Sequence, residues 1–444
     1  MRILISIFLI GLIQSWTIPL AAQQTSPPEK DQAVYKEKYK DPTLKEMEDR
    51  DKKLKEEAEA KTEEIRKQYK DEKKREKDAG RRLLMDFSKV EKPAMEAFRQ
   101  FWHQPPQAQY LTGTCWSFSM TSFLESEVFR LTGKKVKLSE IHTVYYEYLE
   151  KAKSYLNSRG NTPMEEGSEA DAVQDILGLY GAVPLEAYPG VTASDGRHDH
   201  SFLIARLQKY LEFVKENGYW DEQEVLPILR VYLNEYLGKP PETFRYDGGT
   251  WTPKTFLKEY LKLDPDDYVS VMSTMLVPFW TQGELKFPDN WRRSKAYYNV
   301  PLEDFYGLVK RAAGKGYSIC IGGDVSESGY YGFPKVGVVP SFDIPYSQID
   351  QSAREMRIAN ETTQDDHGIH LVGFTRFQDH DWYLIKDSGR SARWEKPEGY
   401  YMYRDDYVKL KMLTLTFHKD VLSDLLPRFA PPALDKKEGT EEVK

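Results

Sequence analysis

Residues 109–120 read QYLTGTCWSFSM and hold Cys115, one of two cysteines among 444 residues. Gly113 and Thr114 form a turn. The run that follows, CWSFSMTSFLESEVFRLTG, carries Trp116, Met120, Phe123, Leu124, Val128 and Leu131 toward one side at helical spacing, with Gly133 as a C-terminal stop. Cys115 therefore opens a helix, where the positive end of the macrodipole favours the thiolate, the nucleophilic form. Two other readings stand beside this one: a small apolar residue packed in a helix start, or half of a disulfide with Cys320. The company Cys115 keeps decides among them.

Gln109 lies six residues earlier, close enough to set an amide donor beside the sulfur once the chain turns through Gly113. Acyl transfer needs such a donor for the developing oxyanion. It also needs a base. His367 and His370, in DDHGIHLVGF, lie three apart at the head of an expected strand, so they point to opposite faces and only one can serve. The next strand, WYLIKDSGR, ends on Asp387, a group able to orient an imidazole. In chain order Gln, Cys, His, Asp make a set for nucleophilic acyl chemistry, which calls for no metal and no cofactor.

The flanks set the context. Arg2, the apolar run ILISIFLIGLI and LAAQQ read as a signal peptide over 1–22, so the mature chain is expected to be exported, to the periplasm or outside the cell, without a membrane anchor. Residues 23–82 form a charged segment. Positions 29–82 hold 19 Lys or Arg and 17 Asp or Glu, and Leu44, Met47, Leu54, Ala58, Ile65 and Tyr69 trace a thin helical stripe. That segment reads as a solvated single helix, with a weak coiled coil or an inhibitory pro-segment as alternatives. Without it and Arg2 the rest holds 43 basic against 53 acidic residues, a net charge of −10 that argues against nucleic acid as a partner.

Residues 83–426 are globular in composition. Apolar spacing is mostly helical up to about Val277. Beyond Tyr317 short strand-like runs take over (YSICIGGDV, IHLVGF, WYLIKD and GYYMYR), an α+β layout. The polar tail 427–444 is expected to be disordered.

Taken together, Gln109, Cys115-Trp116, His367 with Gly373 six residues on, and IKDS at 385–388 resemble the Gln, Cys, His, Asn order of papain-like cysteine peptidases. The segments LGKPPETFRYDGGTWTPKTFLKEYL, YYNVPLEDFYGLVKRA and YSICIGGDVSE are similar to bleomycin hydrolase and aminopeptidase C. The spacing agrees, since His367 follows Cys115 by 252 residues, against about 130–150 in a minimal papain-type chain. The resemblance implies a two-lobe α+β fold, a helical lobe plus an antiparallel β-sheet lobe, with a helical insertion and a long charged N-terminal helix. It implies catalytic roles for Cys115, His367, Asp387 and Gln109. Gly167 and Ser168 would hold the segment that pairs with substrate backbone, and Trp116 would contact substrate. Peptides are the expected substrates, and a homohexamer the assembly implied by the family.

Departures from the family carry their own expectations. Asp387 stands where Asn is usual, which favours imidazolium. Gly389 and Arg390 replace the Trp that follows Asn-Ser in the family, so the contact between Asp387 and His367 is expected to be wetter. Three readings follow: an exported aminopeptidase-like thiol peptidase, an endopeptidase with an N-terminal pro-segment, or a catalytically silent papain fold used for binding.

Overall fold

The computed structural model describes residues 31–191 and 193–429, apart from the side chains of 76–78. The expected signal peptide and the tail beyond 429 lie outside the described residues. The chain divides into two units, 1–81 and 82–444.

In the first unit α1 (Pro42–Asp78) is one uninterrupted helix of 37 residues. Asp41 caps it, its Oδ1 accepting from the N–H of Thr43 at 2.8 Å, and Pro42 takes the first turn, where a missing N–H costs nothing. Leu44, Met47, Leu54, Ile65 and Tyr69 are all exposed, as are the charges around them. Among the described residues no helix is long and apolar enough to cross a membrane.

The second unit begins with the short strand β1 (Arg99–Gln100) and continues through α2 (Cys115–Thr132), α3 (Glu140–Asn157) and α4 (Ala170–Tyr180). The expected helical insertion follows as α5 (Ser201–Asn217), α6 (Glu222–Leu237), the hairpin β2 (Phe244–Tyr246) and β3 (Gly249–Trp251), and α7 (Pro253–Thr255). Then come β4 (Tyr268–Met272), β5 (Thr281–Gly283), β6 (Tyr297–Asn299), α8 (Leu302–Lys315), β7 (Ile319–Gly323), β8 (Tyr330–Tyr331), β9 (Val336–Gly337) and α9 (Gln351–Ala359). The last elements are β10 (His367–Phe377), β11 (His380–Lys386), β12 (Tyr400–Arg404), α10 (Asp405–Lys411) and β13 (Met412–His418).

α2 is the centre of the helical lobe. Every residue from Trp116 to Val128 is buried, so the helix is covered on all sides rather than on one stripe, and only Leu131 of the expected apolar set is exposed. Met120, Phe123 and Val128 are wholly removed from water, each contributing about 1.5–3 kcal/mol. Gly133 ends the helix at φ 71°, as its position in the sequence requires.

The sheet runs β5-β6-β4-β13-β7-β10-β11-β12-β9-β8, with β1 on β10. Its centre is antiparallel, but β4 with β6 and β9 with β12 are parallel, so the sheet is mixed rather than antiparallel throughout. On β10 the alternation is plain. Gly368 and His370 face α2, while Ile369 and Leu371 join Ile319, Ile321 and Ile385 in a second core. Residues 427–429, expected to be part of a disordered tail, are ordered: Phe429 packs edge-on against Trp280 and Tyr298, and Arg428 stacks over Trp280.

Candidate active site

The two lobes meet where α2 begins. Cys115 is the first residue of α2, so its backbone N–H has no partner within the helix. It lines an open cleft of about 1120 Å³ together with Gln109, Gly113, Gly167, Asp289 and His367. Gly113 is a glycine for a reason, because a Cβ there would come within 2.9 Å of the Glu166 Cβ. The Gly113 N–H donates to Glu166 Oε2 at 2.5 Å and ties the turn before Cys115 to the opposite wall.

Gln109 is buried and tied to both Thr112 and Ser388. Its N–H donates to the Ser388 carbonyl at 3.1 Å, its Oε1 accepts from Ser388 Oγ at 2.7 Å, and its Nε2 donates to the Thr112 carbonyl at 2.7 Å. An amide carries two N–H bonds, so one remains for the cleft.

His367 Nε2 lies 2.8 Å from Asp387 Oδ1, which leaves Nδ1 for the Cys115 sulfur. Burial opposes charge on this imidazole, yet the Asp387 carboxylate, its hydrogen bond and the Cys115 sulfur together hold the ring well above the usual histidine range. Asp387 is held low. Burial works against its charge, and the imidazolium, the hydrogen bond from it, the Gly389 N–H at 2.6 Å and the Tyr330 hydroxyl at 3.3 Å outweigh that. The imidazolium expected from an Asp at this position is thus supported by Asp387 and Cys115 against the opposing effect of burial.

The wetter contact expected from Gly389 is not found. Asp387 is only 2% exposed, and a Cβ on Gly389 would lie 3.3 Å from His367 Nε2, so the backbone itself covers the pair in place of the family's Trp ring. His370 is on the other face, wholly buried, with Nδ1 2.8 Å from Ser122 Oγ on α2. Burial, then Lys386 and His103, push it far below the usual range, so it is a neutral packing residue. Cys320 is free, buried on β7, and contacts Ser119 Oγ at 3.5 Å. Burial pushes its thiol up to about 12, and the disulfide alternative falls away.

Of the three residues expected at the substrate, one faces the cleft. Gly167 lines it. Trp116 and Ser168 do not: Trp116 is 2% exposed and donates from Nε1 to the Glu166 carbonyl at 3.0 Å, while Ser168 is buried and donates to Glu147 Oε1 at 2.5 Å. A helix turns about 100° per residue, which carries Trp116 away from the side Cys115 presents. Both residues instead fix the backbone around Gly167. Lys151 does the same from below, its Nζ donating to the carbonyls of Glu165, at 2.6 Å, and of Gly167.

The cleft also holds groups that no motif announced. Asp289, from the segment between β5 and β6, and Asp365, two residues before His367, both line it. Glu169 lies just behind, within electrostatic reach of Asp365, Asp289 and Cys115. Glu169 and Asp365 flank recognised motif residues and could have been noticed for that reason; Asp289 carries no such signal.

Comparison with known proteins bears on the family and the fold. Residues 51–429 match the family described as Peptidase C1-like. Aminopeptidase C of Lactococcus lactis subsp. cremoris is 22% identical over 363 residues, 72% of this chain and 82% of that protein. Aminopeptidase C of Streptococcus thermophilus is 26% identical over 261 residues, 49% of this chain and 58% of that protein. Among solved structures, that of PepW from Lactobacillus rhamnosis HN001 has a TM-score of 0.62 at 18% identity, covering 76% of this chain and 84% of that one, a likeness of fold.

Proposed function

This chain belongs to the Peptidase C1-like family and is a cysteine-type peptidase, and from that premise we propose that it is an exported aminopeptidase with Cys115 as nucleophile. The observation that carries the reading is the placement of Cys115 at the head of α2, beside a His367 whose far nitrogen is held 2.8 Å from Asp387. The Cys115 thiolate attacks the scissile carbonyl, and the oxyanion is received by the free Gln109 Nε2–H and the Cys115 N–H. His367 passes its proton to the departing amine, and the C–N bond breaks to leave a thioester on Cys115. The now neutral His367 then takes a proton from water, which attacks the thioester. The acid leaves, and the thiolate with its imidazolium is restored.

Aminopeptidase action is supported by the names of the relatives and by an acidic cleft, since a free peptide N-terminus is a cation. Export rests on the sequence of residues 1–22, and N-terminal sequencing of the protein recovered from its host tests it. Assembly as a hexamer rests on the family resemblance alone, and sedimentation equilibrium tests it. The decisive experiment for the chemistry is labelling with an epoxysuccinyl thiol inhibitor, peptide mapping, and assay on aminoacyl amides. Label on Cys115 with loss of hydrolysis is the expected result; hydrolysis that survives full labelling, or label on Cys320 alone, overturns the assignment.

A further inference from the structure

Asp289 rests its carboxylate directly on Gly167. A Cβ built on Gly167 would lie 2.2 Å from Asp289 Oδ1 and 2.5 Å from Oδ2, an approach that only glycine permits. Gly167 is the cleft residue that the resemblance assigns to pairing with the substrate main chain, so Asp289 stands where a longer chain on the acyl side would have to pass. Its position is fixed from outside the cleft. Asn290 Nδ2 donates to the Leu285 carbonyl at 2.9 Å, and Trp291 Nε1 and Arg292 Nη1 each donate to Glu147 Oε1 on α3 at 2.7 Å.

The neighbours of Asp289 are tied down, but its carboxylate accepts no hydrogen bond among the described residues. The cation that acts on it, Lys151, has turned its Nζ to the carbonyls of Glu165 and Gly167. Two further carboxylates behind it are in the same condition. Glu169 is 6% exposed with Oε1 unpartnered, and Asp365 has Oδ2 buried and unpartnered, among the described residues. Burial, then Asp289, Asp366 and Asp324, push Asp365 up to about 8. Buried carboxylates without partners are costly, and a bound cation relieves that cost.

We propose that Asp289, backed by Asp365 and Glu169, receives the α-ammonium of the substrate and closes the acyl side of the cleft, so that residues are taken from free N-termini and N-blocked chains are refused. This rests on the peptidase reading above and deepens it by assigning the restriction to a residue of the insertion. The recognised group is an ammonium one short step from the scissile carbonyl. An acetylated terminus offers neither the charge nor a shape that fits beside the carboxylate.

The test uses three fluorogenic alanine amides that differ only at the α-position: free amine, N-acetyl, and the propionyl analogue that lacks the amine. With the wild-type chain, kcat/KM is expected to fall about 10- to 100-fold when the amine is removed, the range for a hydrogen bond to a charged group. Asp289→Asn should lose a similar factor on the free amine, mostly through KM, and nothing on the propionyl compound. Asp289→Gly should in addition gain cleavage of an N-acetylated pentapeptide. Epoxysuccinyl labelling of Cys115 in each variant checks that the site is folded, and the wild-type comparison needs no variant at all. Equal handling of the three amides by the wild type, or an Asp289→Asn variant that labels fully and keeps wild-type kcat/KM on the free amine, overturns the proposal. A wild-type chain that cleaves none of them and takes up no label sinks the peptidase reading instead, and this proposal with it.

Discussion

Asp387 Oδ1 accepts from both His367 Nε2 at 2.8 Å and the Gly389 N–H at 2.6 Å, while its Oδ2 takes the Tyr330 hydroxyl at 3.3 Å. This division tells Asn from Ala at the position. In Asp387→Asn the amide oxygen can keep both Oδ1 contacts, and the new amide hydrogens can donate to Tyr330, whose hydroxyl has Ser391 Oγ at 3.3 Å as a second partner. Asp387→Asn is expected to keep activity within about tenfold, whereas Asp387→Ala should lose on the order of 10²-fold, because nothing then orients the imidazole.

The pH profile separates charge from orientation. His367 is held above its ordinary value and Asp387 below its own, so the pair is charged from the depressed Asp387 value up to the raised His367 value. Its contribution is lost as pH rises through the folded His367 value, and at the other end as pH falls through the folded Asp387 value. Asp387→Asn removes the carboxylate that opposes the burial of His367, so the alkaline limb of kcat/KM should move to lower pH. An unmoved limb would show that some other group sets that ionisation.

Thiol reactivity should divide cleanly. Cys115 opens on the cleft, and Cys320 is buried with its thiol pushed up to about 12. A thiol reagent at pH 8 is expected to count one cysteine in native protein and two after denaturation. Cys115→Ser should abolish hydrolysis with little change in thermal stability. Cys320→Ser should keep most of it. Two reactive thiols in the native state would mean that β7 opens far more readily than its burial implies.

What could be read in the sequence is what local chemistry announces. Cys115 was legible because Gly113 and Gly133 bracket one apolar helix, and His367 and Asp387 because each stands at the end of a short, largely apolar strand-like run. Trp116, which the resemblance assigns to the substrate, lies away from it, because one residue of helical rotation from Cys115 carries its ring into the core. The parallel pairings β4 with β6 and β9 with β12 engage two residues each, too few to leave a periodic trace. Asp289 was invisible for another reason: it meets Gly167 across 122 residues of chain, from a segment with neither helical nor strand period.

The two histidines of β10 should behave oppositely. His367→Ala is expected to lower kcat by about 10²–10⁴-fold with the fold intact, because it removes the proton carrier of both half-reactions. His370→Ala leaves a hole against Phe123 and strands the Ser122 hydroxyl, which should cost about 2–4 kcal/mol while activity per folded molecule stays high. Urea melts and active-site titration on the same samples distinguish the two. A stable but inactive His370→Ala would reverse the assignment.

His142 offers a test of stability that is independent of the site. On α3 it is 1% exposed, neither ring nitrogen has a partner among the described residues, and Tyr146 and Tyr188 meet it edge-on at 5.0 and 6.2 Å between centroids. Burial lowers it from 6.5 to about 3. Its folded value is depressed, so the native state refuses a proton that the unfolded chain accepts. Stability is therefore present above about 6.5 and drains away as pH falls toward about 3, at up to roughly 1.4 kcal/mol per pH unit. Phenylalanine fills the same aromatic niche, has no ring nitrogen to desolvate and does not titrate. His142→Phe should stabilise the fold by about 1 kcal/mol at pH 7, and the gain should widen at pH 5. Urea denaturation of both proteins at the two pH values measures it, and a gain that does not grow on acidification would show that His142 finds a proton acceptor in the folded state.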